Sequence, residues 1–337
     1  MARILVTGGT GFIGRHLVQT LVQQGHTVRC LVRPSSQVQP LAELGVERIT
    51  ADLRDEMQLT QAVRGSDVVY HLAGLVRALN PREFYDVNQE GTARLARACA
   101  RQTTPPRVIL VSSVAAAGPT ARGRLRVESD PPAPVSHYGR SKLAGEQAAA
   151  AFSAEIPLTI VRPGIVFGPW DRGLVRILRA IRQLNFHASP GLFPPPLSYI
   201  HVEDLVELLI EAERRGTRVP ARPEEQPGTG CYFAVAPEYP TYAELGRLVR
   251  PMLARRWAPV LPIAGPIAWC VAGVNECLSR LRGQADELSL DKIRDALASS
   301  WACSGEAARR ELGFSPAWPL AERLRETIEW YRAQGWL

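Results

Sequence analysis

The segment Ile4–Gly14, ILVTGGTGFIG, constrains this chain more than any other stretch. An apolar strand runs straight into Gly8, Thr10, Gly11 and Gly14, and helical periodicity begins at Phe12 and Ile13. That spacing suits a strand-to-helix turn that bends sharply, lets the backbone approach a pyrophosphate and lets the helix pack closely on a sheet. The first amides of such a helix face an anion, and the helix dipole favours the charge. Glycines also serve ordinary tight turns through their free backbone angles. Context separates the two readings. The helix Phe12 to Gln24, Gly25 at its end and the strand Thr27 to Val32 complete a βαβ unit. The expectation is an α/β protein with a doubly wound parallel sheet and a nucleotide at its carboxyl edge.

With 337 residues, 46% hydrophobic and 22% charged, the chain can bury one large core or two, and disorder is not indicated. Basic residues outnumber acidic ones by 40 to 33, giving a net charge of +7, and Lys142 and Lys292 are the only lysines. The surplus suits an anionic ligand. It is spread without a basic run or an aromatic platform, which argues against nucleic acid. Six cysteines, Cys30, Cys99, Cys231, Cys270, Cys277 and Cys303, show no close metal-binding or redox pair. They read as buried thiols in a reducing compartment, with no metal site. The N-terminus enters a strand at once, so no signal peptide is expected and the location is taken as cytoplasmic.

At the end of the second strand, where an NAD-binding unit carries an acid for the ribose hydroxyls, stand Val32 and Arg33. An arginine pairs instead with a 2′-phosphate, which favours NADP(H) and leaves NAD(H) possible. A short strand Glu47 to Thr50 leads to Asp52 and Leu53 at the carboxyl edge, with Asp52 an adenine contact and Asp52 or Asp55 a helix cap. The strand Asp67 to Leu72 ends in HLAG, whose small Ala73 and Gly74 let a dinucleotide lie against the backbone beside Leu72. His71 reads as a packed strand-end side chain. A helix is expected from Glu83 to Ala100, with Asn88 unusually placed near its start. The strand Arg107 to Val111 is nearly all apolar and delivers Ser112 and Ser113 to the carboxyl edge. After a proline-bearing loop, Tyr138 and Lys142 fall one turn apart on a helix and share a face.

Regular alternation ends with the strand Leu158 to Val161 and RPGIVFGP, in which Pro163, Gly164 and Val166 are candidate cofactor contacts. The expected division is residues 1–167 as the dinucleotide-binding domain, with 199–235 returning to it, and 168–198 with 236–337 as a substrate-binding lobe. Trp257 to Val274 carries no charge, but Pro259, Pro262 and Pro266 interrupt it, which opposes a spanning helix. From Pro266 onward Ile267, Val271, Val274, Leu278 and Leu281 form a stripe at helical spacing. A core-facing stripe is favoured over contact with a membrane surface. A lid over a greasy substrate is the third reading.

Taken in order, TGGTGFIG, HLAG, VNQEGT with Asn88, VSSVAAAG, YGRSK, RPGIVFGP and HVEDL resemble the extended short-chain dehydrogenase/reductase family, also called the NAD-dependent epimerase/dehydratase family. Beyond Thr241 the proline-bearing apolar stretch and ARRELGF are similar to its 3β-hydroxysteroid dehydrogenase and dihydroflavonol reductase branches. The resemblance implies a Rossmann fold and a catalytic Ser113, Tyr138 and Lys142. Tyr138 is then the acid–base group, its phenol made more acidic by Lys142, while Ser113 holds the substrate oxygen. Lys142 also holds the nicotinamide ribose, Asn88 positions the cofactor, and a homodimer is the expected assembly with a small-molecule substrate. The dehydratases of the family carry an acidic pair after the serine, and here Val114, Ala115 and Ala116 stand there, which disfavours dehydration. Three functions compete. The first is an NADP(H)-linked reductase or dehydrogenase of a hydroxyl/ketone pair. The second is a sugar-nucleotide epimerase that keeps its cofactor, and the third is a cofactor-binding protein without turnover.

Overall fold

The structure is a computed structural model and describes residues 1–254, 259–286 and 288–337. Its strands are β1 (Arg3–Thr7), β2 (Thr27–Val32), β3 (Glu47–Thr50), β4 (Val68–His71), β5 (Arg107–Val111), β6 (Leu158–Pro163), β7 (Ile165–Phe167), β8 (His187–Pro190), β9 (Tyr199–His201), β10 (Cys231–Ala234) and β11 (Val260–Ile263). Seven of them make one parallel sheet in the order β10-β6-β5-β4-β1-β2-β3. Their near-continuous apolar runs are what a sheet covered on both faces requires. Along β1 the alternation is visible directly: Ile4 and Val6 enter one core, Leu5 the other. Helices Phe12–Gln23 and Val202–Arg215 cover the first face, and Glu56–Val63, Thr92–Ala100 and His137–Ala150 the second. The chain winds outward from β1 through β2 to β3, then returns to β4 and winds the other way. That places the switch point, where ligands bind in such sheets, between the carboxyl ends of β1 and β4.

A second body of structure sits beyond the carboxyl edge. Here β7 pairs with β9 and β8 with β11, each in parallel, and Phe167, Leu178, Leu245, Leu324 and Tyr331 share a separate apolar cluster. It is tied to the sheet's own helices by Arg323, which is buried and bonds both Asp204 oxygens, at 2.6 and 3.3 Å.

Several expectations need correction. The helix expected from Glu83 to Ala100 is broken into Pro81–Tyr85, a π-helical turn Asp86–Gly91 and Thr92–Ala100. The extra residue per turn lets Asn88 face inward where a plain helix would have carried it past. Strands β7, β8, β9 and β11 were not foreseen, being three or four residues each, too short for a period to show. The stripe at Ile267, Val271, Val274, Leu278 and Leu281 does not face the core: these side chains are 58, 50, 64, 40 and 81% exposed. Their helix, Gly265–Arg282, packs inward through Ala268, Ala272 and Ser279, small residues that permit close approach to the helix Leu290–Ala296 and leave the larger ones outside. For the same reason Cys270 and Cys277 are exposed, while the other four thiols are buried. Trp257, with which the uncharged stretch begins, lies outside the described residues. No helix of the described residues is long and apolar enough to cross a membrane.

Two buried imidazoles make the fold sensitive to acid. Burial holds His71 and His201 down at about 3, well under the ordinary value near 6.5. Unfolded chains take up these protons near pH 6.5 while the native protein still excludes them, so the stabilisation is complete above that pH and is lost on acidification. Unfolding free energy should fall between about pH 6.5 and pH 4 by up to roughly 1.4 kcal/mol per pH unit for each group. Urea titrations at several pH values check this, and a flat profile would contradict it.

A glycine makes the second prediction. At Gly145 a Cβ would stand 2.2 Å from Asn88 O. Helix propensity alone makes Gly→Ala favourable by about 1 kcal/mol. The backbone contact reverses the sign, and Gly145→Ala should destabilise by at least about 2 kcal/mol in chemical denaturation.

Candidate active site

The glycine turn joins β1 to the helix Phe12–Gln23. Gly8 has φ +74°, and a Cβ there would stand 2.8 Å from Ala73 N, so the carboxyl ends of β1 and β4 touch through bare backbone. Gly14 is tighter still, 2.2 Å from Gly8 O for the same hypothetical atom. The turn closes with Gly11 N–H donating to Gly8 O at 3.0 Å. Gly11 then caps the helix with extended backbone and no side chain, and the first turn holds no acid. By contrast the helices after Asp55, Ser136, Asp171 and Thr241 all have capping side chains. The unserved amides beside Thr10, Phe12 and Ile13 are therefore open to an external anion.

Around this turn lie the other expected cofactor residues. Arg33 is exposed just past β2, its N–H donating to Ser36 Oγ at 3.0 Å. Asp52 accepts from Arg54 N–H at 2.9 Å, and the helix cap is Asp55, which accepts from Gln58 N–H. Leu53 packs beneath Gly91. Past β4, Leu72, Ala73, Gly74 and Leu75 are fixed by Asn88: its Oδ1 accepts from Leu75 N–H at 2.8 Å, and its Nδ2 donates to Leu75 O and to Ser141 Oγ, both at 3.0 Å. Asn88 thus ties the end of β4 to the helix His137–Ala150. His71 is buried between the Thr7 and Thr92 hydroxyls, at 2.6 and 3.0 Å, a packing role.

Of the three residues expected to form the catalytic set, Ser113 and Tyr138 are in contact, and Lys142 lies one turn along the same helix as Tyr138. Ser113 sits past β5, accepts from Ala115 N–H at 3.2 Å and is hydrogen-bonded to the Tyr138 phenol. Lys142 Nζ donates to Val111 O at 2.8 Å and borders Gly74. Two close backbone approaches put the helix there. A Cβ at Gly139 would be 2.4 Å from Ala115 O, and Gly145 rests on Asn88 O. Ser112 is buried and its hydroxyl has no partner among the described residues. Pro163 ends β6, Gly164 lies against Ser198, and Val166 is half-buried in β7.

The electrostatics differ from expectation in one respect. Burial pushes the Tyr138 phenol up to about 12, opposed by the Ser113 hydrogen bond and assisted by the Asp295 carboxylate. Burial also lowers Lys142 to about 8, opposed by Glu146. Loss of water therefore outweighs any acidifying influence of the ammonium on the phenol.

Ser113 and Tyr138 open on a cavity of about 310 Å³ walled largely by apolar groups, among them Val114, Ile165, Pro194, Pro195, Leu197 and Trp301. Four residues in or beside it escaped sequence reasoning. Lys292 Nζ stands 4.7 Å over the Tyr138 ring. Asp291 caps the tyrosine's helix by accepting from His137 N–H at 2.7 Å and Tyr138 N–H at 3.1 Å. Asp295 is hydrogen-bonded to Ser136, is pushed up to about 6 by burial, and keeps a buried Oδ1 without a partner among the described residues. Tyr242 lines the far wall. The three from 291 to 295 share one short helix, whose spacing alone carried no sign of where it would dock.

Comparison with known proteins agrees with this geometry. Residues 4–221 match the NAD dependent epimerase/dehydratase family. The chain is 33% identical to a ceramide reductase of Caulobacter vibrioides, over 99% of this chain and 96% of that one. It is 28% identical to 3beta-hydroxysteroid-dehydrogenase/decarboxylase isoform 1 of Arabidopsis thaliana, over 96% of this chain and 78% of that one. Among solved structures it resembles MoeE5 in complex with UDP-glucose and NAD, with TM-score 0.74 and 25% identity over 98% of this chain and 99% of that one. The uncapped helix behind three glycines, the Ser113–Tyr138 contact and these likenesses agree: the chain belongs to the NAD-dependent epimerase/dehydratase family and is an enzyme of oxidoreductase type.

Proposed function

We propose that this enzyme is an NADP(H)-dependent reductase of the extended short-chain type, acting on a hydroxyl/ketone pair of a predominantly apolar molecule. The observation that carries the reading is the hydrogen-bonded Ser113–Tyr138 pair in the wall of an apolar cavity.

The residues present fit a dinucleotide. The turn leaves no room for a side chain at Gly8 or Gly14 and offers free amides for the pyrophosphate. Arg33 stands where a 2′-phosphate would lie in such a sheet, and no carboxylate follows β2 to favour a ribose diol. Asp52 and Leu53 would serve the adenine end, Leu72, Ala73 and Gly74 would let the dinucleotide lie against the backbone, and Pro163, Gly164 and Val166 would meet the nicotinamide amide. When bound, the nicotinamide supplies or accepts the hydride.

The chain's own residues handle the proton. Ser113 Oγ holds the substrate oxygen by a hydrogen bond. A phenol held near 12 is neutral at pH 7, so Tyr138 stands ready to donate its proton to a carbonyl oxygen as the alcohol forms. That donation is the proton step a reduction requires. Lys142 positions its helix against Val111 and faces the ribose side. The apolar walls exclude water from the reacting carbon and suit a greasy substrate. A reductase whose name specifies a ceramide, at 33% identity, supports the reading.

An epimerase is the second reading, favoured by the likeness to a protein seen with UDP-glucose. The cavity speaks against it, since a diphosphate needs several polar partners and these largely apolar walls offer it Lys292 and a few hydroxyls. The two separate cleanly: a reductase consumes NADPH in step with an apolar ketone, whereas an epimerase converts nucleotide sugars with no net consumption.

Tyr138→Phe should lower kcat about a hundredfold or more while leaving the Kd for NADPH within about twofold. Unchanged turnover would remove the tyrosine from the mechanism. Arg33→Ala should raise the Kd for NADPH about tenfold or more and leave that for NADH unaltered. Calorimetric titration of both cofactors checks this, and an equal loss for the two would deny the arginine its phosphate.

A further inference from the structure

The outward stripe on the helix Gly265–Arg282 calls for a partner. Ile267, Val271, Val274, Leu278 and Leu281 alternate at spacings of four and three and so share one face, which Cys270 and Cys277 widen. At about 1.5 Å per residue the helix is about 27 Å long. Its one carboxylate, Glu276, falls on the opposite side and is held there by Arg280 at 2.7 Å and by Leu290 N–H at 3.1 Å.

The stripe does not end with the helix. Gly191 N–H donates to Ile263 O at 2.8 Å, so the loop after β8 leaves from the helix's own start. That loop exposes Leu192 and Phe193 at 62 and 80%. The next residues, Pro194 and Pro195, line the cavity that holds Ser113 and Tyr138. A single apolar surface therefore runs from the far end of the helix to the mouth of the cavity. Its ends are basic. Arg122 donates to Phe193 O at 2.7 Å and to Pro194 O at 3.2 Å at the loop tip, and Arg282 is exposed beside Leu281.

We infer that this surface docks on a bilayer of anionic phospholipid, with the stripe and the Leu192–Phe193 tip entering the headgroup boundary and Arg122 and Arg282 meeting lipid phosphates. An amphipathic helix lying in the interface shows such an apolar face, and guanidinium groups at its margins reach the headgroups along their aliphatic stems. A coiled-coil seam with a second copy would be expected to carry charges of both signs along its edges, whereas among the described residues the charged groups at the ends of this face are Arg122 and Arg282, and Glu276 lies on the opposite side. The consequence is that an apolar substrate enters the cavity from the membrane. Only this last step rests on the reductase reading.

Pelleting of the full-length protein with vesicles tests the docking without any turnover, so its failure is distinct from failure of the reductase assay. The probes are vesicles of phosphatidylcholine with phosphatidylglycerol, and of phosphatidylcholine alone. Expected is pelleting with the mixed vesicles that weakens with added salt and falls about tenfold or more in Val274→Asp/Leu278→Asp. Both positions are exposed, so the thermal midpoint should be unchanged. Should that variant fail to fold, Leu192→Ser/Phe193→Ser provides the same reading from the loop. Wild-type protein that stays in the supernatant with both vesicle types overturns the inference. So does a variant that pellets as well as wild type, or a wild-type dimer in ultracentrifugation that the substitutions convert to monomer.

Discussion

Glycine brings bare backbone against bare backbone at several places, and the rest of the site depends on four of them. Gly8 meets the end of β4, Gly14 meets Gly8, Gly139 meets Ala115 and Gly145 meets Asn88. The first two shape the turn at the sheet's carboxyl edge. The other two bring the helix with Tyr138 and Lys142 down on the segments that carry Ser113 and Asn88. A methyl group at any of the four would separate elements whose side chains must meet, and close packing leaves no slack to absorb the shift. The chemistry at the edge is thus set by residues that have no side chain.

What those contacts assemble is a dry site, and dryness governs its charges. Tyr138 is pushed up, Lys142 down and Asp295 up by the same removal of water, in the direction that disfavours each charged form. A neutral phenol beside a serine hydroxyl gives a proton more readily than it takes one. The carboxylate oxygen of Asp295, without a partner among the described residues, adds to Ser113, Tyr138 and Lys292 a further polar feature in a largely apolar wall.

The helix Gly265–Arg282 shows the same packing logic turned inside out. Small residues again make the close contact, here Ala268, Ala272 and Ser279, and so the larger apolar side chains are left facing away from the protein. Periodicity identifies the apolar face of a helix, but it is silent on whether that face or its small-residue opposite meets the core. The answer lay in the helix Leu290–Ala296, which offers a surface that only close approach can fill.

Local chemistry made much of this protein legible beforehand. Gly8, Gly11 and Gly14 after an apolar strand announce a phosphate turn, and the apolar run of β5 announces a sheet covered on both faces, because each depends on neighbours in sequence. The unforeseen features depend on neighbours in space. Asn88 turns inward through a π-helical turn that its interactions with Leu75 and Ser141 stabilise, partners far along the chain. Asp291, Lys292 and Asp295 reach Tyr138 because one short helix docks across the carboxyl edge, and the phenol's high value comes from the water that this docking removes. Sequence alone determined the sheet, the turn and the residue types able to move a proton. Tertiary structure decided how dry they are, what surrounds them and which apolar face remains outside, since burial is a property of the whole packed chain and of no single segment.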